Sequence, residues 1–211
     1  MARDDKPGPG ARGGGKRGKP ERRPTAVKPP PAPVIEQPTM RRRLALLGVR
    51  LPDVKPPAFH YVPVVVHGGI AYVSGQLPWQ GEAIEHAGKV AKDVAPEQAE
   101  EAARRCTLQA LAWLNQSLTG GLDEVERVLR VTGYVASSPG FDQQPKVIDA
   151  ASELLIKVFG HAGHHARSAI GVAELPRNAP VEIELILAIK RRPNIAQRQR
   201  RPGFPVVETR F

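Results

Sequence analysis

The sequence predicts an α+β fold, a mixed sheet of five or six strands with two helices on one face. Three observations predict it. Residues 96–118 and 144–159 repeat apolar side chains at helical spacing. Residues 61–66, 70–76, 125–136, 167–173 and 181–189 are short apolar or alternating runs bounded by Gly, Pro or polar turns. The resulting order, β-β-α-β-α-β-β, suits one sheet layered against helices.

The elements follow from local chemistry. RRRLALLGVRL (41–51) reads as a short helix closed by Gly48, and Pro52, Pro56 and Pro57 impose an extended linker after it. YVPVVV and IAYVSGQ flank a Gly68-Gly69 turn. Pro63 lacks a backbone donor, which assigns the first of these strands to an edge or a bulge. Residues 77–95 read as a polar loop. Pro96 suits the first helical position, and Glu97, Glu100 and Glu101 suit the positive end of the helix dipole. Ala99, Ala103, Cys106, Ala110, Trp113 and Leu114 form one stripe, so Cys106 and Trp113 are core residues. Gly120 and Gly121 stop this helix. The second helix carries Val147, Ala151, Leu154, Leu155 and Val158, and Gly160 ends it. In the last strand Val181, Ile183, Leu185, Leu187 and Ile189 form one apolar face. Glu182, Glu184, Ile186 and Ala188 form a second face that begins acidic and becomes apolar. Two helices cover only one side of a sheet, so a closed homo-oligomer is expected to cover the other.

Charge divides the chain. Residues 1–43 carry 12 Lys/Arg and 4 Asp/Glu (+8), residues 190–211 carry 7 and 1 (+6), and the middle carries 12 and 16 (−4), summing to +10. The basicity belongs to the ends, which removes the main support for a nucleic-acid-binding core. The expected organisation is a disordered basic Pro/Gly-rich tail (1–40), a short helix and Pro-rich linker (41–57), a folded domain (58–190) and a basic C-terminal tail (191–211). The first tail reads as a solvated segment, an RNA or membrane-surface tether, or a polyproline ligand. Met40 is an alternative start, with ordered-looking sequence directly after it. A lone cysteine permits no disulfide within the chain, and no apolar run nears the ~20 residues of a membrane span. A cytoplasmic protein is expected.

HHARSAIGVAELPRNAPVEIELILAIK (164–190) carries the chemistry. It sets Arg167 at the start of one strand and Glu182 and Glu184 on the next. An arginine opening a strand can hold a carboxylate in a two-point fork, and a glutamate nearby can orient or deprotonate water. If the LPRNAP turn joins a symmetric hairpin, Val172 faces Glu182 and Arg167 faces Leu187. Arg167 and Glu182 are then about 16 Å apart at ~3.3 Å per residue. One subunit would not bring both to a small ligand, and two neighbouring subunits could. His161, His164 and His165 lie in a Gly-containing loop with no carboxylate or cysteine at ligand spacing, which argues against a metal site. They read as solvated loop residues or, being close to Arg167, as a rim of the cleft. No Walker loop, dinucleotide fingerprint or G-x-S-x-G is present.

The chain resembles the RidA/YjgF family of reactive enamine/imine deaminases, also labelled endoribonuclease L-PSP, over roughly residues 58–190. YVPVV, YVSGQLP, the two helices and above all ARSAIGVAELPRNAPVEIE carry the resemblance. LALLGVRLPDVKPP and PGFDQQPKVIDAASELL resemble one longer bacterial branch. The resemblance implies a chorismate-mutase-like trimer with an inner β-barrel, outer helices and three clefts between subunits. It implies that Arg167 binds the substrate carboxylate and Glu182 positions the attacking water. It implies that Tyr61 and Ser74 line the pocket, with Ala169 where the founding enzymes have Cys and Gly171 where they have Glu. Ser152 and Asp149 compete for the place of the family's second-helix asparagine. The implied reaction converts a 2-imino or enamine acid to a 2-keto acid and ammonia, and needs no cofactor. The other readings are a carboxylate-binding regulatory relative without turnover and, through the basic tails, RNA binding or cleavage.

Overall fold

The computed structural model describes residues 38–54, 56–57 and 59–190. The expected basic tails, apart from residues 38–40, lie outside the described residues, and so does the nucleic-acid role assigned to them.

The described chain runs α1 (Met40–Leu46), β1 (Val64–His67), β2 (Ile70–Gln76), β3 (Trp79–Gln80), β4 (Ala83–Ile84), α2 (Pro96–Ser117), β5 (Val125–Ala136), α3 (Gln144–Phe159), β6 (Ala166–Val172) and β7 (Val181–Ile189). Five strands form one sheet in the order β1-β2-β7-β5-β6. β7 is antiparallel to both β2 and β5, and β6 is parallel to β5. The fold is the expected α+β sheet with helices on one face.

Why these residues make these elements is visible at their ends. α1 is capped by Thr39, whose side chain accepts from the Arg42 N–H, and the chain leaves it through Gly48 at φ +65°. α2 starts on Pro96, and the Gln98 side chain accepts from the Ala95 N–H at 2.9 Å. Its stripe is buried throughout, Cys106 and Trp113 included. α3 buries Val147, Ile148, Ala151, Leu155 and Val158 against the sheet, while Leu154 stays partly exposed. The helix-side strand residues Val128, Val131, Val135, Ile183, Leu185 and Leu187 are fully or almost fully buried. Together they form one core, worth about 25 cal/mol per Å² of apolar surface removed from water.

Three expectations change. The first strand begins at Val64 rather than Tyr61, because Pro63 has no N–H to donate to a ladder; its carbonyl instead accepts from the Ser74 N–H at 3.0 Å. The 77–95 loop contains a small hairpin, β3–β4, turning at Gly81 with φ +64°. Most consequentially, β6 and β7 do not pair. β5 lies between them, so the expected Val172–Glu182 and Arg167–Leu187 pairings do not exist. The turn between β6 and β7 is wide rather than tight. It contains a short 3-10 segment, Pro176–Asn178, with Arg177 and Asn178 at φ +60° and +55°. That width lets β7 cross over and insert between β2 and β5.

Among the described residues no helix is long and apolar enough to cross a membrane.

Candidate functional site

The register places the two sequence-predicted charges. Arg167 is level with Val131 on β5, and Glu182 is opposite Tyr134 on the same strand. Val131 to Tyr134 is three residues, or about 10 Å along the sheet, and β6 and β7 are two strands apart, about 10 Å across. The two side chains also lie on opposite faces. Val131, Leu185 and Arg167 share the helix side, whereas Thr132, Tyr134, Glu182 and Glu184 share the open side. Within one chain Arg167 and Glu182 therefore do not meet. The reason is the sheet order and the face, not the hairpin register first expected.

Around Arg167 the sheet edge meets α3. The guanidinium Nη1 donates to Asp149 Oδ1 at 2.6 Å and to Ser152 Oγ at 3.0 Å. Both residues considered for the second-helix position thus hold the arginine, one turn apart on α3. Ser152 Oγ is also 3.1 Å from His165 Nε2, and His165 Nδ1 is 2.6 Å from the Gly163 carbonyl. Burial lowers the His165 pKa; the Gly163 hydrogen bond opposes this, and the charges of Arg167 and His164 add to it. Ala169 follows on the same face and packs partly into the core. Next comes Gly171, where a Cβ would press on the Gln144 amide at 2.7 Å. That amide donates to Phe141 O at 2.7 Å and Ser137 Oγ at 3.2 Å.

The open face forms a second constellation. Tyr134 Oη donates to Glu184 Oε2 at 3.1 Å. Burial raises the Glu182 pKa, and the Glu184 charge raises it further. Tyr134 is raised as well, by desolvation first and by Glu184 next. A β-bulge between Val73 and Gln76 sets Ser74 and Gly75 beside the two glutamates. Gly75 leaves room there for the Glu182 carboxylate, which an added Cβ would displace. Ser74 Oγ donates to Pro63 O at 3.2 Å, and Ser74 lines a cavity of about 300 Å³ with Tyr72, Thr132 and Glu184. Tyr61 is 49% exposed and is not among the residues lining that cavity. Cys106 is wholly buried, and burial raises its thiol well above the ordinary value, followed by the charge of Glu182. The thiol is 3.4 Å from the Val181 carbonyl and is packed as core.

The sequence thus supplied two halves of a site, Arg167 with Ala169 and Ser74 with Glu182, which the fold puts on opposite faces. It did not point to Tyr134 or Gly75. The polar alternation Arg130, Thr132, Tyr134 along β5 was the available signal for the tyrosine. Gly75 answers a close approach that only the three-dimensional register reveals.

Residues 53–189 match the family described as Endoribonuclease L-PSP. Protein TCP17 of Trypanosoma cruzi is 37% identical over 157 residues, 74% of this chain and 98% of that protein. The crystal structure of Atu1372 from Agrobacterium tumefaciens, a protein of unknown function, is 42% identical. It covers 72% of this chain and 92% of its own, with a TM-score of 0.65. A candidate endoribonuclease from Shewanella oneidensis is 29% identical, covers 72% of this chain and all of its own, and has a TM-score of 0.68.

Proposed function

The chain belongs to the endoribonuclease L-PSP family, the RidA/YjgF family, and from that premise we propose that it is a cofactor-free deaminase of 2-imino and enamine acids. The clefts that do this chemistry lie between the subunits of a homotrimer. Arg167 of one subunit anchors the substrate carboxylate, and Glu182 of the next positions the water. Ser74, Ala169 and Tyr61 line the cleft.

One observation carries this reading: Arg167 and Glu182 lie on opposite faces of one sheet, and the face with Glu182 exposes apolar side chains. Tyr72 (49%), Val65 (43%) and Ile170 (45%) all stand on that open side. Closing three sheets around an axis covers this face. It also brings an edge strand of one subunit beside the open face of another, which would let both charges reach one small ligand.

The chemistry asked for is modest. Arg167 fixes the carboxylate, so the imine carbon is held toward the water. Glu182 accepts a proton from the water as its oxygen bonds to that carbon, and the C=N pair moves onto nitrogen. The raised pKa of Glu182 suits a group that takes a proton and returns it. The substrate reacts as its protonated iminium, so the nitrogen is now a neutral amine. Glu182 returns its proton to that nitrogen and the C–N bond breaks. The new hydroxyl gives its proton to Glu182 and becomes the carbonyl oxygen, and a 2-keto acid and ammonia remain.

The test supplies the purified protein with an imine made in place by an amino-acid oxidase or a threonine/serine dehydratase. Faster appearance of the 2-keto acid is expected. Arg167→Ala should lower kcat/KM by about ten- to a hundredfold, the worth of a charge-assisted anchor of about 1.5–3 kcal/mol. No acceleration, or an Arg167→Ala protein with unchanged kcat/KM, overturns the deaminase. Binding of a 2-keto acid without acceleration favours a regulatory relative instead.

A further inference from the structure

We propose that Ser152 and His165 are positioning residues that hold Arg167 from behind through Nη1, leaving the Nε–Nη2 edge to take the ligand carboxylate side-on. The inference rests on the anchoring role of Arg167 given above and adds two residues and a geometry to it.

The arrangement begins at Gly163. No other residue fits there, because a Cβ would run into the backbone of Leu155 and Ile156. The Gly163 carbonyl is therefore fixed against α3, and His165 Nδ1 lies 2.6 Å from it. A carbonyl only accepts, so Nδ1 carries the proton. In the neutral ring Nε2 is then an acceptor, and its neighbour at 3.1 Å is the Ser152 hydroxyl. With its proton given to His165, Ser152 Oγ presents lone pairs to Arg167 Nη1 at 3.0 Å. Ser152 Oγ also lies 3.5 Å from the Ile148 carbonyl, a longer and weaker acceptor than His165 Nε2 at 3.1 Å, so with a neutral ring the directions of the series follow from the Gly163 carbonyl.

The same counting fixes the free edge of the arginine. A terminal guanidinium nitrogen has two N–H groups. On Nη1 one goes to Ser152 and the other to Asp149 Oδ1 at 2.6 Å. Nε and Nη2 make no hydrogen bond among the described residues. Their N–H groups are parallel and match the two oxygens of a carboxylate. An end-on fork through Nη1 and Nη2 would have to displace Ser152 or Asp149.

His165 is suited to the neutral state this requires, since burial and the charges of Arg167 and His164 oppose its protonation. The charged or titratable groups around it are Arg167 on β6, Asp149 on α3 and His164 beside it, whose ring is 5.8 Å from that of His161.

The experiment uses the full chain, with pyruvate as the probe and heteronuclear NMR of the histidine rings and the arginine Nε–H. In the unmodified protein, saturating pyruvate should shift the Arg167 Nε–H resonance, and the His165 ring should carry its proton on Nδ1. Ser152→Ala and His165→Leu should each weaken pyruvate binding by about fivefold, the worth of one hydrogen bond. His165→Gln, whose amide oxygen can replace the Nε2 acceptor, should stay within about twofold of the unmodified protein. Pyruvate binding with the Nε–H unmoved, or with the His165 proton on Nε2, overturns the inference and leaves the anchor standing. Equal affinities across all three variants do the same. A protein that binds no pyruvate loses the anchor itself, and the positioning residues with it.

Discussion

The two faces of the sheet are built from the same strands to opposite ends. On the helix side every second residue of β7 is buried within the chain: Val181, Ile183, Leu185, Leu187 and Ile189. On the other side the intervening residues are only half-covered, and Tyr72, Val65 and Ile170 stand exposed around a glutamate pair. The first face is finished by α2 and α3. The second has polar groups that bond one another, as Tyr134 does Glu184, and apolar groups with nothing upon them. Stability is therefore concentrated on one side, and the chemistry and association proposed above belong to the other and to the β6 edge.

Four substitutions would break or sharpen that contrast. The largest effect belongs to the finished face. Leu155→Ala removes a fully buried side chain and should cost about 2–5 kcal/mol, read from the denaturant midpoint. On the open face, Tyr72→Asp should leave the far-UV helix signal in place but shift sedimentation from trimer to single chain. A trimer that survives the buried charge would assign assembly to another surface. A smaller change is Gly75→Ala. The new methyl group displaces the Glu182 carboxylate, so imine hydrolysis should fall by at least about tenfold while the melting temperature drops little. The smallest is Glu182→Gln. The carboxyl is raised from its ordinary value near 4.5, so the folded chain holds its proton more tightly than the unfolded chain. Its favourable contribution is complete below the ordinary carboxylate pKa and is lost as pH rises through the raised one. Glutamine should therefore stabilise the protein at about pH 7, and that gain should shrink toward about pH 4, as melting curves at the two values would show.

Much of the fold was legible because alternation and helical spacing are local. Residues 125–136, 144–159 and 181–189 read from the sequence as the elements the structure has. Strand order was not local. β6 and β7 are neighbours in sequence, which suggested a hairpin, but a strand, a helix and a strand in succession (β5, α3, β6) call for a parallel crossover pair. Weighing that pattern first would have put β6 beside β5 and left β7 to fill the gap. Site residues followed the same division. Arg167 and Glu182 stand out as charges in apolar strands. Gly75 and His165 matter through what lies across from them, and no spacing along the chain reports that.

One consequence concerns how such a site could vary. Arg167, Ala169 and Gly171 lie on β6, which among the described residues has a hydrogen-bonded neighbour strand on one side only. Residues on an outer strand can be exchanged without reseating two ladders at once. Glu182, by contrast, sits on a strand paired on both flanks and pressed against Gly75. The fold thus sets an outer strand against a doubly paired one, and a designer seeking a new substrate range would randomise positions 169 and 171 and leave the last strand alone.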